Sequence, residues 1–122
     1  MPGKRAAAPC VSGLGVDLAE VDRVRRLAER APAFLKRTFT AGELAYSLKS
    51  RNRYERLAAR FAVKEAVIKA LDAKRLPLRD IEVENTASGR PEVRVKGMPG
   101  LRLLVSITHT STAAFAAVIA FK

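Results

Sequence analysis

Residues 61–70 read FAVKEAVIKA. The stretch is helix-forming and almost wholly apolar, yet it carries Lys64, Glu65 and Lys69. Extended back to Tyr54 and on to Leu71, it predicts one long helix. With about 100° per residue and Leu57 set at zero, Leu57, Phe61 and Ile68 fall within about 40° of one another. Ala59, Val63, Val67 and Ala70 cover the far side. A helix that is apolar nearly all round belongs at the centre of a domain. Charges placed there cost free energy unless they are paired or bind something. Glu65 and Lys69 are four residues apart and share a wedge with Ala58 and Ala62, whose small side chains leave room beside them. Arg60 and Lys64 share a different edge with Leu71. Two readings of Glu65 and Lys69 stand together: an ordinary helical ion pair worth ~0.3–0.5 kcal/mol, or a ligand site.

The flanks of this helix set the fold class. Upstream, Val11 to Val16 lean toward a strand that ends at Asp17. Leu18, Val21, Val24, Leu27 and Ala28 then recur at helical spacing and predict an amphipathic helix ending near Pro32. Thr40-Ala-Gly-Glu43 has the spacing of a capping box and starts a short helix from Ala41 toward Leu48. Downstream the period changes to two. Ile81 and Val83, then Val93 and Val95, alternate with polar residues around the turn signal Ser88-Gly89-Arg90-Pro91. Met98-Pro99-Gly100 marks another turn. LRLLVSIT (101–108) is a strong strand, and AAFAAVIAF (113–121) pairs with it as a hairpin. One strand, then helices, then several strands predicts α+β architecture, an antiparallel sheet packed with a long central helix.

The length of 122 residues predicts one domain, here 11–122, preceded by a flexible basic tail over 1–10. That opening has no apolar core of useful length and is not expected to be a signal peptide. No segment approaches the roughly 18 apolar residues of a membrane span. The one cysteine, Cys10, allows no internal disulfide and no zinc cluster, which fits the cytoplasm. The formal charge of +11, from 23 Lys and Arg against 12 Asp and Glu, predicts anionic partners. A nucleic-acid reader is one such class. Few aromatics, no RNP-type pattern and no GXXG loop argue against it, and so do two acidic residues among the candidate site groups.

Those groups lie in several segments. Asp17 is either the N-cap of the following helix or, with Glu65, one of two carboxylates for Mg²⁺, which commonly takes one or two with waters and phosphate oxygens. His109, the only histidine, sits with Ser106, Thr108 and Thr110 where a strand meets a turn. It is either structural or part of a site that hydrogen-bonds a phosphate or a base. KSRNRYER (49–56) is either a solvated basic loop or a phosphate clamp.

Taken together, GLGVDLAEVDR (13–23), ARFAVKEAVIKAL (59–71), SGRP (88–91) and SITHT (106–110) resemble the motifs of holo-acyl-carrier-protein synthase. This is the small bacterial type of 4′-phosphopantetheinyl transferase. The resemblance covers roughly 11–121. It implies the fold of that family and transfer of phosphopantetheine from coenzyme A to a serine of an acidic apo acyl carrier protein. It also implies a need for Mg²⁺, release of adenosine 3′,5′-bisphosphate, and a role in fatty acid biosynthesis. By the same resemblance Asp17 and Glu65 match the metal ligands and Lys69 the helix lysine linked to catalysis. Arg23 matches a position implicated in docking the carrier. Arg51, Arg60, Lys64, Ser106, His109 and Thr110 fall where the family contacts coenzyme A. The small type resembles compact homotrimers with active sites between subunits.

Overall fold

A computed structural model describes residue 8 and residues 10–122. Most of the expected tail lies outside the described residues. Strand β1 (Val11–Glu20) leads into α1 (Val21–Arg30), α2 (Ala33–Thr38), α3 (Ala41–Leu48) and the long α4 (Arg53–Leu71). A 3₁₀ turn (Leu78–Asp80) follows, then β2 (Ile81–Asn85), β3 (Pro91–Val95), β4 (Arg102–His109) and β5 (Ala113–Phe121). The architecture is α+β, as the change of period predicts. β1, β5 and β4 form an antiparallel sheet in that order, and β2 with β3 forms a separate hairpin. Residues 113–121 are a strand despite their alanine content, in register with β4 from Arg102↔Phe121 to His109↔Ala114.

The boundary between β1 and α1 differs from the expectation. The strand does not stop at Asp17 but stays in register with β5 as far as Glu20↔Ala113. Asp17 is therefore a strand residue, and the helix begins after Glu20 with no side-chain cap. Leu18 fits two periods at once. It continues the alternation Leu14, Val16, Leu18 as well as the helical series, and pairing with β5 decides for the strand. The stretch around Phe34 and Leu35 forms the short α2.

Two glycines set the distance between sheet and helix. A β-carbon on Gly13 would stand 1.8 Å from the carbonyl oxygen of Ala70, and one on Gly15 1.9 Å from that of Ala66. Any side chain there would force β1 off α4. Small residues elsewhere in this layer serve the same approach: Ala58, Ala62, Ala66, Ala114, Ala116 and Ala120 are all fully buried. The wedge holding Ala58 and Ala62 is therefore closed by packing and is not open space beside the charges.

Among the described residues nothing covers the other face of the sheet. Leu14, Val16 and Leu18 on β1 are exposed, as are Phe115 on β5 and Leu104 on β4. Leu18 pairs directly with Phe115. A contiguous apolar surface of this kind marks an interaction face.

Candidate active site

Strand alternation places Gly13, Gly15, Asp17 and Ala19 on the side of β1 that meets α4. The glycines bring the strand onto the helix backbone, and Asp17 follows two residues on. Lys69 reaches across from α4. Its Nζ donates to the carbonyl oxygen of Val16 at 2.9 Å and lies 3.3 Å from Asp17 Oδ1. Glu65, one helical turn before Lys69, shares this corner. Burial raises its pKa above the usual carboxylate value and the charge of Asp17 adds to the rise, while Lys69 and Arg23 pull it down. Four residues from three elements thus act on one another: Asp17 from β1, Arg23 from α1, Glu65 and Lys69 from α4. The Glu65–Lys69 spacing is not a simple surface pair, because Lys69 is committed to β1.

Two half-buried carboxylates that repel one another form a donor set suited to a hard cation, with water and phosphate oxygens free to complete the shell. Among the described residues no third Asp, Glu, His or Cys joins them.

Lys64 is a correction to the expected coenzyme surface. Its side chain is completely buried and lies 2.7 Å from Glu43 Oε1, itself sealed from solvent. Nζ also donates to the carbonyl oxygens of Leu78, at 3.0 Å, and Ile81. An ammonium group has three protons, and all three have protein acceptors, so none is left for a phosphate. Burial lowers the Lys64 pKa while Glu43 raises it. Glu43 is satisfied as well. It closes the predicted capping box with Thr40 and accepts from the backbone N–H of Val83 at 2.9 Å. The pair ties α3 and α4 to the start of β2.

Arg60, Ser106 and His109 meet in a groove of about 510 Å³, together with Arg56, Tyr46 and Arg90. His109 Nδ1 lies 3.4 Å from Glu55 Oε1. Arg60 is five residues before Glu65, about 140° away around the helix. The groove and the carboxylates therefore occupy different sides of α4 in one chain. Arg51 and Thr110 do not line the groove. Arg51 is exposed on the turn before α4. Thr110 Oγ1 accepts from the backbone N–H groups of Thr112 and Ala113, both at 3.2 Å, and shapes the β4–β5 turn.

Sequence reasoning missed Glu43 as the partner of Lys64 and missed Tyr46 and Arg56 in the groove. Glu43 carried only its local capping signal. Arg56 lay inside the basic run 49–56, but nothing in its spacing separated it from its neighbours.

Known proteins share this architecture. The family model of the 4′-phosphopantetheinyl transferase superfamily matches residues 13–120. A holo-[acyl-carrier-protein] synthase of Thermodesulfovibrio yellowstonii is 43% identical over 111 residues, spanning 89% of this chain and 97% of that protein. The Bacillus anthracis holo-(acyl-carrier-protein) synthase, solved in complex with CoA (3′,5′-ADP), superposes with TM-score 0.82 at 28% identity, covering 94% of this chain and 99% of that one. The Helicobacter pylori enzyme, solved in complex with coenzyme A, gives TM-score 0.77 at 27% identity over 88% and 98% of the two chains. Motif, fold and sequence agree, and the chain belongs to the holo-acyl-carrier-protein synthase family of 4′-phosphopantetheinyl transferases.

Proposed function

We propose that this enzyme moves 4′-phosphopantetheine from coenzyme A to a serine hydroxyl of an acidic apo acyl carrier protein, with Mg²⁺ held by Asp17 and Glu65. The convergence of Asp17, Glu65 and Lys69 carries the reading. Serine gives its hydroxyl proton to a carboxylate of the site or to water as Oγ forms the new bond to phosphorus, the P–O bond to the nucleotide breaks, and adenosine 3′,5′-bisphosphate leaves. Mg²⁺, when bound, would neutralise charge on the diphosphate and make phosphorus more electrophilic. Lys69 holds Asp17 in place and supplies positive charge next to the leaving phosphate. Arg23 stands beside Glu65 at the start of the basic α1, suited to an acidic carrier helix. Positioning and charge neutralisation are the main contributions expected for phosphoryl-type transfer. Supply of holo carrier to fatty acid biosynthesis, in the cytoplasm, is the role that suits this substrate pair.

The uncovered sheet face supports assembly as a homotrimer. Leu14, Leu18 and Phe115 would be buried against neighbouring copies. The 140° between Arg60 and Glu65 on α4 favours an active site completed between subunits. Light scattering after size exclusion checks the trimer; a monomer at micromolar concentration would count against it.

The decisive test mixes the protein with coenzyme A, Mg²⁺ and an apo acyl carrier protein and reads the carrier by mass spectrometry. The mass gain of one phosphopantetheine is expected, and its loss in both Asp17→Ala and Glu65→Ala. An unchanged carrier, with RNA retained by the protein instead, would overturn the reading.

A further inference from the structure

Tyr46, on α3, holds two guanidinium groups at once. The Cζ of Arg56 lies 4.5 Å from the centre of its ring and the Cζ of Arg60 lies 4.4 Å away. The two arginines are one helical turn apart on α4, where like charges repel. An aromatic face offsets that repulsion and fixes the planes of both groups. Arg60 is nearly buried, and its Nε has no hydrogen-bond partner among the described residues. A buried donor left unmade costs free energy, so the arrangement is incomplete without an acceptor. Both arginines line the groove that also holds Ser106, His109 and Arg90. Among the described residues no carboxylate lines that groove, though Glu55 Oε1 lies 3.4 Å from His109 Nδ1.

We infer that Tyr46 is a positioning residue that presents Arg56 and Arg60 as a paired clamp for a phosphomonoester dianion on the nucleotide half of the substrate. The inference rests on the coenzyme A reading above. Coenzyme A carries a diphosphate and one phosphomonoester. The diphosphate belongs with the carboxylate corner, where the chemistry occurs, which leaves the monoester for the groove. A terminal phosphate offers three oxygens, and two arginine forks with a serine hydroxyl supply convergent donors for them. Arg56 is thereby a substrate contact, and the ring of Tyr46 acts through it and through Arg60.

The test compares binding of adenosine 3′,5′-bisphosphate and adenosine 5′-monophosphate by calorimetry, in EDTA so that no metal contributes. Tyr46→Leu is expected to weaken the bisphosphate on the order of tenfold and the monophosphate hardly at all, since charge-assisted contacts to the monoester are what it misaligns. Tyr46→Phe, which keeps the ring, retains the wild-type preference. Arg56→Gln shows the same selective loss as Tyr46→Leu and serves in its place should the leucine variant not fold. Equal losses for both nucleotides, or a loss in Tyr46→Phe as large as in Tyr46→Leu, would overturn the clamp. Carrier modification by the wild-type protein is measured separately. Transfer without Tyr46-dependent discrimination defeats the clamp alone; discrimination without transfer leaves the clamp and defeats the transferase reading.

Discussion

Lys64 Nζ lies 2.7 Å from Glu43 Oε1 with both side chains sealed from solvent. Removing one partner of such a pair strands the other as an uncompensated charge. Lys64→Met should therefore destabilise the fold by about 3–5 kcal/mol, measured by urea denaturation. The variant that does fold should bind coenzyme A as the wild type does. A stable Lys64→Met protein with weakened coenzyme binding would return Lys64 to the coenzyme surface.

Gly15 is tested by a single methyl group. Gly15→Ala places a β-carbon against the Ala66 carbonyl oxygen, which belongs to the helix backbone and cannot swing aside. A cost of about 1–3 kcal/mol or more is expected from overpacking. Activity should fall further than stability explains, because Asp17 moves with the strand. Wild-type denaturation and turnover in this variant would contradict the close contact.

Glu65 gives a pH dependence with a definite sign. Its folded pKa is raised, so the native state holds this proton to higher pH than the unfolded chain does. Stability from this group therefore falls as pH rises from the ordinary glutamate value, about 4.3, through the raised one. In EDTA at neutral pH, Glu65→Gln should melt above the wild type, and the gap should close as pH falls into the ordinary glutamate range. Adding Mg²⁺ should raise the wild-type melting temperature and leave the variant unmoved. A variant that melts below the wild type in EDTA would show that burial and Asp17 do not strain this carboxylate.

Arg23 is predicted to separate the two substrates. Arg23→Glu should raise KM for the carrier protein much more than for coenzyme A. Association with the carrier should slow as salt rises. Equal changes in both KM values, or a flat salt profile, would remove the docking role.

The sequence pattern and the structure agree wherever one local signal decides an element. The capping box at Thr40 and Glu43 is formed as spaced, and the alternation of Ile81, Val83, Val93 and Val95 is a hairpin. They differ where two signals overlap or where the partner is distant. Leu18 satisfied both periods, so the end of β1 depended on pairing with β5 nearly one hundred residues away. Lys64 and Glu65 are neighbours in sequence, yet helix geometry turns them about 100° apart. One side faces Glu43 and the other faces Asp17. Periodicity placed them on different edges but could not say which edge was sealed. Tyr46 lay outside every motif, and only the packing of α3 on α4 brings it to the arginines.

The buried lysine also governs which changes of chain length this scaffold tolerates. Lys64 keys α4 at one angular setting, since its three acceptors come from α3, the 3₁₀ turn and β2. One residue gained or lost between Lys64 and Lys69 would rotate the tail of the helix by about 100° and carry Lys69 away from β1. The turns at 86–90 and 96–101 bear no such constraint on that helix. Natural length variation should thus collect in those two turns and spare the interval from Arg60 to Ala70.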